Sequence, residues 1–483
     1  MLIGGSIVAT IGLDKMSGAP GFLIQLFFYI ILQSVMKKNI EKSPIDYRHG
    51  KITSIFRKIF FPTLLGMIFN ALITIIDGIF VGQGVGPDGI AAVNIIAPLF
   101  MITTGIGLMF GIGASVCGGI AIASKDYDRA NSMMTSAFIC STALITLLIL
   151  ICALFPNAIA SLLGSSERLM DKATDYLLFI LIGLVPLMWQ SIGMMAIRLD
   201  GSPKYAMMCN IFPAVLNIIL DWWFVFPLGM GVKGAAFATS IACIVGGGMA
   251  IGYFKFSYTL KFTRNISRFF SNIWSEVAVG SSAFVTEVAM SIMMFTGNIV
   301  FMKSFGENGV AAYSISCYLF PLIFMMNNSV AQSAQPIISV NYGSGDRPRV
   351  FASLKVSLIV AAICGSLATL GISLGAPFIV RLFINPDSEA AAIAVAGLPI
   401  FSLSGIFFAL NIAFIGFYQS IEKSMRALIF TLLRGVVILV PMFFILSGLF
   451  PKWGMWAAIP SSELLTLVII LTSFLMKRND ILK

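Results

Sequence analysis

Charged residues are scarce in this chain of 483 residues. Asp, Glu, Lys and Arg together make up 11% of it, whereas ordinary soluble domains carry about a quarter. Hydrophobic residues account for 58%. A chain with so few charges cannot cover a water-exposed surface, so the shortage excludes a soluble enzyme and favours a protein that lies mostly within a bilayer.

Residues typical of metal sites and of nucleophilic enzymes are also scarce. The sole histidine, His49, lies in a basic stretch and is interpreted as a solvated residue. Seven cysteines lie singly in apolar runs without a C-x-x-C pair, which argues against a disulfide framework or a zinc site. No Walker lysine is present, and the glycines at 105, 107, 111 and 113 indicate close helix packing, not a nucleotide site.

Apolar runs of about 20 residues recur along the chain, each long enough to cross a hydrocarbon core about 30 Å thick. They predict an all-α membrane protein with twelve transmembrane spans, numbered here from 1 to 12. The predicted spans are 56–81, 90–123, 132–155, 172–197, 205–226, 233–254, 276–302, 309–342, 350–376, 391–419, 427–450 and 455–476.

Basic residues are distributed unevenly between alternate loops. Counted from Lys37, 24 Lys and Arg, Arg434 among them, fall on the side of the segment before span 1, and six fall on the other side. The positive-inside rule then predicts that both ends of the twelve-span body are cytoplasmic. The net charge of +10 is explained by this asymmetry, so no nucleic-acid partner is expected.

The two halves of the chain are related by a shift of 220 residues. Gly86 falls on Gly306 and Asp126 on Asp346, among 11 identities over the 45 residues from Gly86. Six spans per half is an even number, so both halves insert the same way up. The repeat predicts two parallel six-helix lobes around a central cleft.

The predicted organisation has four parts. Residues 1–53 form an N-terminal extension and lead-in, 54–254 the N-lobe, 255–275 a basic cytoplasmic linker, and 276–483 the C-lobe with a short tail. The apolar segment 22–36 lies outside the repeat, and Met36 is a plausible alternative start. Whether this segment is native or adds a helix stays open.

Acidic residues inside apolar runs are costly, which makes them functional candidates. Asn217 precedes Asp221 by four residues and therefore shares its helical face. Spans 1 and 5 run outward and span 6 runs inward, so Asp77, Asn217, Asp221 and Thr239 are expected at similar depth. These oxygen-bearing groups predict a cation or proton site. The alternative is that Asp77 faces the interface and Asn217 caps a kink at Pro213.

The C-lobe has no counterpart of this cluster, because the shift places Asp221 on Pro441. Its own acid at mid-depth is Glu287, expected to attract a cationic substrate. The polar residues of span 8 either bind substrate or hydrogen-bond across helices. The tentative substrate-binding residues are Glu287, Asn328, Gln332 and Gln335.

Three stretches resemble the MATE (multidrug and toxic compound extrusion) family, in its DinF- and MepA-like bacterial branch. They are DGIFVGQGVGPDGIAAVNIIAPL from Asp77, IRLDGSPKYAMMCNIFPAVLNIILDWWFVFPLGMGVKGAAFAT from Ile197, and AQSAQPIISVNYGSGD from Ala331. The resemblance covers the chain from about Ser54 to its C-terminus. It implies export of small, often cationic drugs and dyes by antiport with protons or sodium, through alternating access of two lobes.

The resemblance also assigns residues. Asp77, Asn217, Asp221 and Thr239 match the family's N-lobe cation site, with the Ala235 carbonyl as an extra ligand. Glu287 lies in the helix that carries a functional acid in other branches. The acid that some members carry in span 10 is missing from 391–419, so a C-lobe sodium site is not expected.

The predicted function is therefore multidrug efflux by a monomer in the bacterial inner membrane. The partners are small drugs and dyes and the lipid bilayer, and no cofactor is expected beyond a coupling ion, H⁺ or Na⁺. A lipid or polysaccharide-precursor flippase of the same superfamily is an alternative, although the sparse intramembrane Arg and Lys argue against it. A membrane-embedded enzyme such as an acyltransferase is improbable with one histidine.

Overall fold

The computed structural model describes residues 45–265 and 268–482. The segment 22–36 and the alternative start at Met36 lie outside the described residues. The side of the membrane at which residues 255–265 lie is called the linker face below, and the other side the opposite face.

The first lobe contains seven α-helices and one turn of 3₁₀-helix, Glu167–Leu169. The α-helices are α1 Ile52–Gly84, α2 Pro87–Ala123, α3 Tyr127–Leu154, α4 Pro156–Leu162, α5 Met170–Leu199, α6 Pro203–Val225 and α7 Gly231–Tyr253. Six of them correspond to spans 1 to 6, and the short α4 was not predicted.

The second lobe begins with the longest helix of the molecule. Its α-helices are α8 Phe269–Gly343, α9 Arg347–Phe383, α10 Glu389–Ser402, α11 Ser404–Ser420, α12 Ser424–Leu432, α13 Leu439–Leu449 and α14 Gly454–Leu482. A π-helical turn, Leu433–Val437, joins α12 to α13. Spans 10 and 11 were each predicted as one helix, but each consists of two helical pieces.

Eleven helical segments of the described chain are long and apolar enough to cross a membrane. One of them, the 75-residue α8, contains two spans because Gly306 breaks it with φ 61° and ψ −148°. The twelve predicted spans in two lobes are therefore confirmed. Helix α8 begins at Phe269, inside the segment predicted as linker.

The internal repeat is visible in the backbone. Gly86 has φ 89° and ψ −172°, and Gly306, 220 residues later, has nearly the same conformation. Both turn the chain between the first two spans of a lobe, and this positive φ is unfavourable for residues with a Cβ. The identity of the two glycines therefore has a conformational cause.

Capping residues follow the same shift. The Asp126 side chain accepts a hydrogen bond from the Arg129 backbone N–H at 3.0 Å and caps α3. The Asp346 side chain accepts one from the Arg349 N–H at 3.1 Å and caps α9. Each aspartate satisfies an N–H that has no partner inside the helix.

Glycines on α2 allow close approach on two sides of the helix. A Cβ at Gly107 or Gly111 would meet α5 of the same lobe, and one at Gly105 would meet α8. At Gly113 a Cβ would lie 2.2 Å from the backbone oxygen of Glu276. The predicted packing role of these glycines is confirmed, and α2 is the helix at which the lobes meet most closely.

The lobes are joined at the linker face. The Arg198 guanidinium of α5 donates to the Gln332 side chain of α8 at 2.8 Å. The Tyr47 carbonyl accepts hydrogen bonds from Asn341 and Arg349, each at 3.0 Å, while its hydroxyl donates to the Arg198 carbonyl. The short segment before α1 therefore ties α5 to α8 and α9.

Apolar packing closes the same face. The larger core cluster contains Leu199 of α5 together with Val330 and Ile337 of α8 and Tyr418 of α11. At the opposite face, Asp88 pairs with Arg168 at 3.1 Å within the N-lobe. We infer that the lobes are closed toward the linker face.

Candidate functional site

The predicted N-lobe residues converge at one depth. At 1.5 Å per residue, Asp77 lies about 11 Å and Asp221 about 6 Å before the ends of α1 and α6. Thr239 lies about 12 Å after the start of α7. All three helix ends are at the opposite face, so these side chains occupy the outer half of one lobe.

Asn217 joins α6 to α7. Its side-chain amide donates to the Thr239 hydroxyl at 3.3 Å, and it also faces Asp221 one turn further along α6. The Asn217 amide therefore points toward the cluster and does not cap the kink at Pro213. The structure brings together all four predicted side chains of the N-lobe.

Asp221 is fully buried, and neither of its carboxyl oxygens has a hydrogen-bond partner among the described residues. One carboxyl oxygen of Asp77 is also buried and has no hydrogen-bond partner among the described residues. The two acids are close enough to interact electrostatically, although their geometry falls short of a regular hydrogen bond. An unpaired buried carboxylate is strongly unfavourable. A proton or a small cation that prefers oxygen ligands would remove this cost.

Tyr176 of α5 was not predicted from the sequence as part of this cluster. Its side chain is buried and interacts electrostatically with both Asp77 and Asp221. A depth count would have found it, because it lies six residues, about 9 Å, after the start of α5. The phenol hydroxyl adds a group near the acids that donates or accepts a hydrogen bond.

Ala235 lies one turn before Thr239 on α7. Its methyl group packs with Val81 and Val225 in a small apolar cluster. In a regular helix its carbonyl already accepts the hydrogen bond from the Thr239 N–H. Its role as an extra ligand stays a prediction.

A small cavity of about 30 Å³ lies between the lobes, beside the middle of each of the two spans of α8. Glu287, Asn328 and Gln419 supply the longest polar side chains of its lining. Gln335 donates to Gln419 at 3.3 Å and so supports the lining, whereas Gln332 is held at the linker face. Such a volume accepts one or two water molecules, so a drug requires the lobes to separate further.

A second buried charge cluster lies in the C-lobe. Arg434, within the π-helical turn, donates to Glu463 of α14 at 2.8 Å, and both residues are buried. The Asn411 amide donates to the same carboxylate at 2.7 Å, and the guanidinium lies 4.3 Å from the centre of the Phe408 ring. The Glu463 carboxylate is therefore already neutralised by the Arg434 guanidinium.

The assignment of Arg434 to a cytoplasmic loop was wrong. The residue follows the start of span 11 by only two turns, which made a position at the membrane surface plausible. Its partner Glu463 lies 29 residues later, so no local pattern reveals the pair. The desolvation cost of burying Arg434 and Glu463 is offset because the two side chains are in contact and hydrogen-bonded to each other.

A two-lobed body of twelve spans, with acids buried inside one lobe and one acid lining a cavity between the lobes, defines a multi-pass membrane transporter. The chain belongs to the MatE family, whose profile matches residues 62–223 and 265–445. The predicted family, fold and absence of an enzymatic role are thereby confirmed.

Curated relatives include two staphylococcal proteins, each named multidrug export protein MepA. The Staphylococcus saprophyticus protein is 24% identical over 424 residues, covering 86% of this chain and 92% of the relative. The Staphylococcus aureus MRSA252 protein is 26% identical over 427 residues, with the same coverage of both chains.

Solved structures show the same fold. An outward-facing multidrug resistance MATE transporter of the MOP superfamily superposes with a TM-score of 0.84 at 22% identity, covering 89% of this chain and 97% of that one. A MOP superfamily transporter from Pyrococcus furiosus, described as having a binding pocket of reversed polarity, gives 0.83 at 22% identity, covering 90% and 97%.

Proposed function

We propose that this protein exports small organic molecules, many of them cationic, across the bacterial inner membrane in exchange for protons or sodium ions. The observation that carries the proposal is the buried acid pair of the N-lobe, in which neither oxygen of Asp221 has a hydrogen-bond partner among the described residues. The MepA relatives, named for multidrug export, support the class of substrate. Both lobes of the cleft come from one chain, which is consistent with a monomer.

The linker face is the cytoplasmic face in this proposal, because most Lys and Arg lie there. The contacts of Tyr47 and Arg198 then close the cytoplasmic side. Transport requires these contacts to break while the lobes close at the other side, which exposes the central cavity to each side in turn. Ion entry from outside stabilises one arrangement by binding it more tightly than the other.

The coupling ion binds between Asp77 and Asp221, with Asn217, Thr239 and Tyr176 around it. Two neighbouring carboxylates repel when both are ionised, so they hold one proton or one small cation firmly. Glu287 has a different role, because it lines the central cavity alone. Its charge in a desolvated cleft attracts an organic cation.

A flippase for anionic lipid or sugar precursors would need free basic side chains in the cleft. Among the described residues, two arginines are buried. Arg434 is paired with Glu463, and Arg198 donates to Gln332 where the lobes meet at the linker face. Neither lines the central cavity, so the exporter is the proposal we retain.

Uptake of a cationic dye into inside-out vesicles tests the proposal. A proton gradient and a sodium gradient are imposed separately, each on the unaltered protein and on Asp221→Asn. We expect one gradient to drive uptake in the unaltered protein and neither to do so in the variant. Gradient-driven uptake that persists in Asp221→Asn would contradict the N-lobe assignment. The surface variant Asp88→Asn is the matched control, and we expect its uptake to be normal.

A further inference from the structure

Another buried acid, Glu276, lies near the linker face, whereas the N-lobe pair lies near the opposite face. Glu276 follows the start of α8 by seven residues, which places it about 10 Å from the linker face. Its exposed fraction is 0%, and neither carboxyl oxygen has a hydrogen-bond partner among the described residues. The export mechanism described above does not use it.

The surroundings of Glu276 come from both lobes. Gly113 of α2 packs against its backbone so closely that a Cβ would lie within 2.2–2.7 Å. The thiols of Cys117 on α2 and Cys140 on α3 both interact electrostatically with its carboxyl. Glu422, after α11, and Arg129, at the start of α3, also act on Cys117. Helices of the N-lobe therefore bury an acid that belongs to the C-lobe.

A proton suits this site better than a metal ion. Sodium prefers several oxygen ligands, whereas the titratable side chains of α2 and α3 that interact with Glu276 are the thiols of Cys117 and Cys140. A carboxylate buried without a donor is far less stable than the neutral acid. The amide of Asn272, one turn earlier on α8, is engaged elsewhere, because it donates to Ser132 at 3.0 Å.

We propose that Glu276 is a second proton-binding site, which exchanges its proton only with the cytoplasm and only while the lobes are separated at the linker face. The proposal rests on the alternating access of the proposed function. When α2 moves away from α8, water reaches the carboxyl and it ionises. Reclosure then requires a proton, so cytoplasmic pH sets how long the protein stays open inward.

The native thiol of Cys117 reports this opening, because it lies at the same contact. In a protein in which the other six cysteines are replaced by serine, an impermeant maleimide is added to inside-out vesicles from about pH 6 to about pH 8. The labelling rate is divided by that of Glu276→Gln at the same pH, which cancels the intrinsic pH dependence of the thiol. We expect this ratio to rise with pH by up to about tenfold per pH unit, the slope that release of one proton gives.

Two further variants complete the test. Glu422→Gln changes the other acid near Cys117 and should retain the rise. Glu276→Met, apolar and of similar length, should lose it, and it replaces the Gln variant if that protein is not recovered. A ratio that stays constant with pH in the unaltered protein, or that rises equally in Glu276→Met, would overturn the proposal.

Dye uptake in the same vesicles separates this inference from the proposed function. If Asp221→Asn abolishes gradient-driven uptake but labelling does not depend on Glu276, only the second site is wrong. If Asp221→Asn transports normally, the proposed function fails independently of the labelling result.

Discussion

The two lobes descend from one repeat but treat a buried acid in opposite ways. In the N-lobe, Asp221 is buried without a protein partner, whereas in the C-lobe Glu463 is held by Arg434 at 2.8 Å. A covalently attached guanidinium cannot leave its carboxylate, but a proton or sodium ion can. The comparison indicates that the Asp221 site exchanges a cation with the solution, whereas the Glu463 site contains a permanent one. Coupling is therefore expected at Asp221 and not at Glu463.

The largest expected effect is the loss of transport in Asp221→Asn or Asp77→Asn. Removing an acid removes the binding site for the coupling ion, but it does not destabilise helices for which a buried charge is costly. Drug resistance of cells with equal amounts of inserted protein measures the effect, and we expect the level of cells without the transporter. Resistance close to that of the unaltered protein in both variants would remove the N-lobe from the coupling mechanism.

Because Glu463 is paired with Arg434, breaking this pair is expected to destabilise the C-lobe. Arg434→Met leaves an unpaired buried carboxylate and should lower the free energy of unfolding by about 3–5 kcal/mol. The double variant Arg434→Met, Glu463→Met should recover most of that loss. Thermal unfolding in detergent measures both. Equal melting temperatures for the single variant and the unaltered protein would mean that the pair is unimportant for folding.

Glu287 should show a selective effect, because it lines the cavity and lies outside the N-lobe cluster. Glu287→Gln should weaken export of cationic dyes by about tenfold, equivalent to about 1.4 kcal/mol of lost attraction. Export of neutral or zwitterionic drugs and ion binding at the N-lobe should persist. A resistance profile across charged and neutral compounds checks this. Equal loss for all compounds, with lost ion binding, would make Glu287 part of the coupling site.

The smallest effect is expected for Tyr176→Phe. The buried phenol lies near the acid pair, and one hydrogen bond from it to the bound ion or its ligands would contribute about 0.5–1.5 kcal/mol. We expect the concentration of protons or sodium that gives half-maximal uptake to rise a few-fold, with the maximal rate unchanged. Dye uptake at graded ion concentrations measures it. A complete loss of uptake would place Tyr176 among the essential residues of the site.

Features with local causes were predictable from the sequence. Gly86 and Gly306 mark the same turn, and Asp126 and Asp346 mark the same cap, because each depends on a few neighbouring residues. The N-lobe cluster was predictable because the direction and length of each span fix the depth of its side chains. The same depth rule reaches Tyr176, but a single tyrosine in an apolar span was not recognised as part of the cluster.

Features that depend on partners distant in sequence were not predictable. Asn328 and Gln332 are four residues apart and share a helical face, yet Asn328 lines the cavity while Gln332 bonds Arg198. Only the position of α5 separates these outcomes. Arg434 was misplaced for the same reason, because its burial depends on Glu463 in another helix.

The glycines of α2 limit how this protein can evolve. A Cβ at Gly113 would meet backbone atoms of α8, which no change of side-chain rotamer can move, and Gly107 and Gly111 are bounded by α5 in a similar way. Almost any substitution along these rows would push two helices apart and reduce the amount of folded protein. Selection for new drug substrates is therefore expected to act on cavity side chains such as Asn328 and Gln419, and to leave these glycines of α2 unchanged.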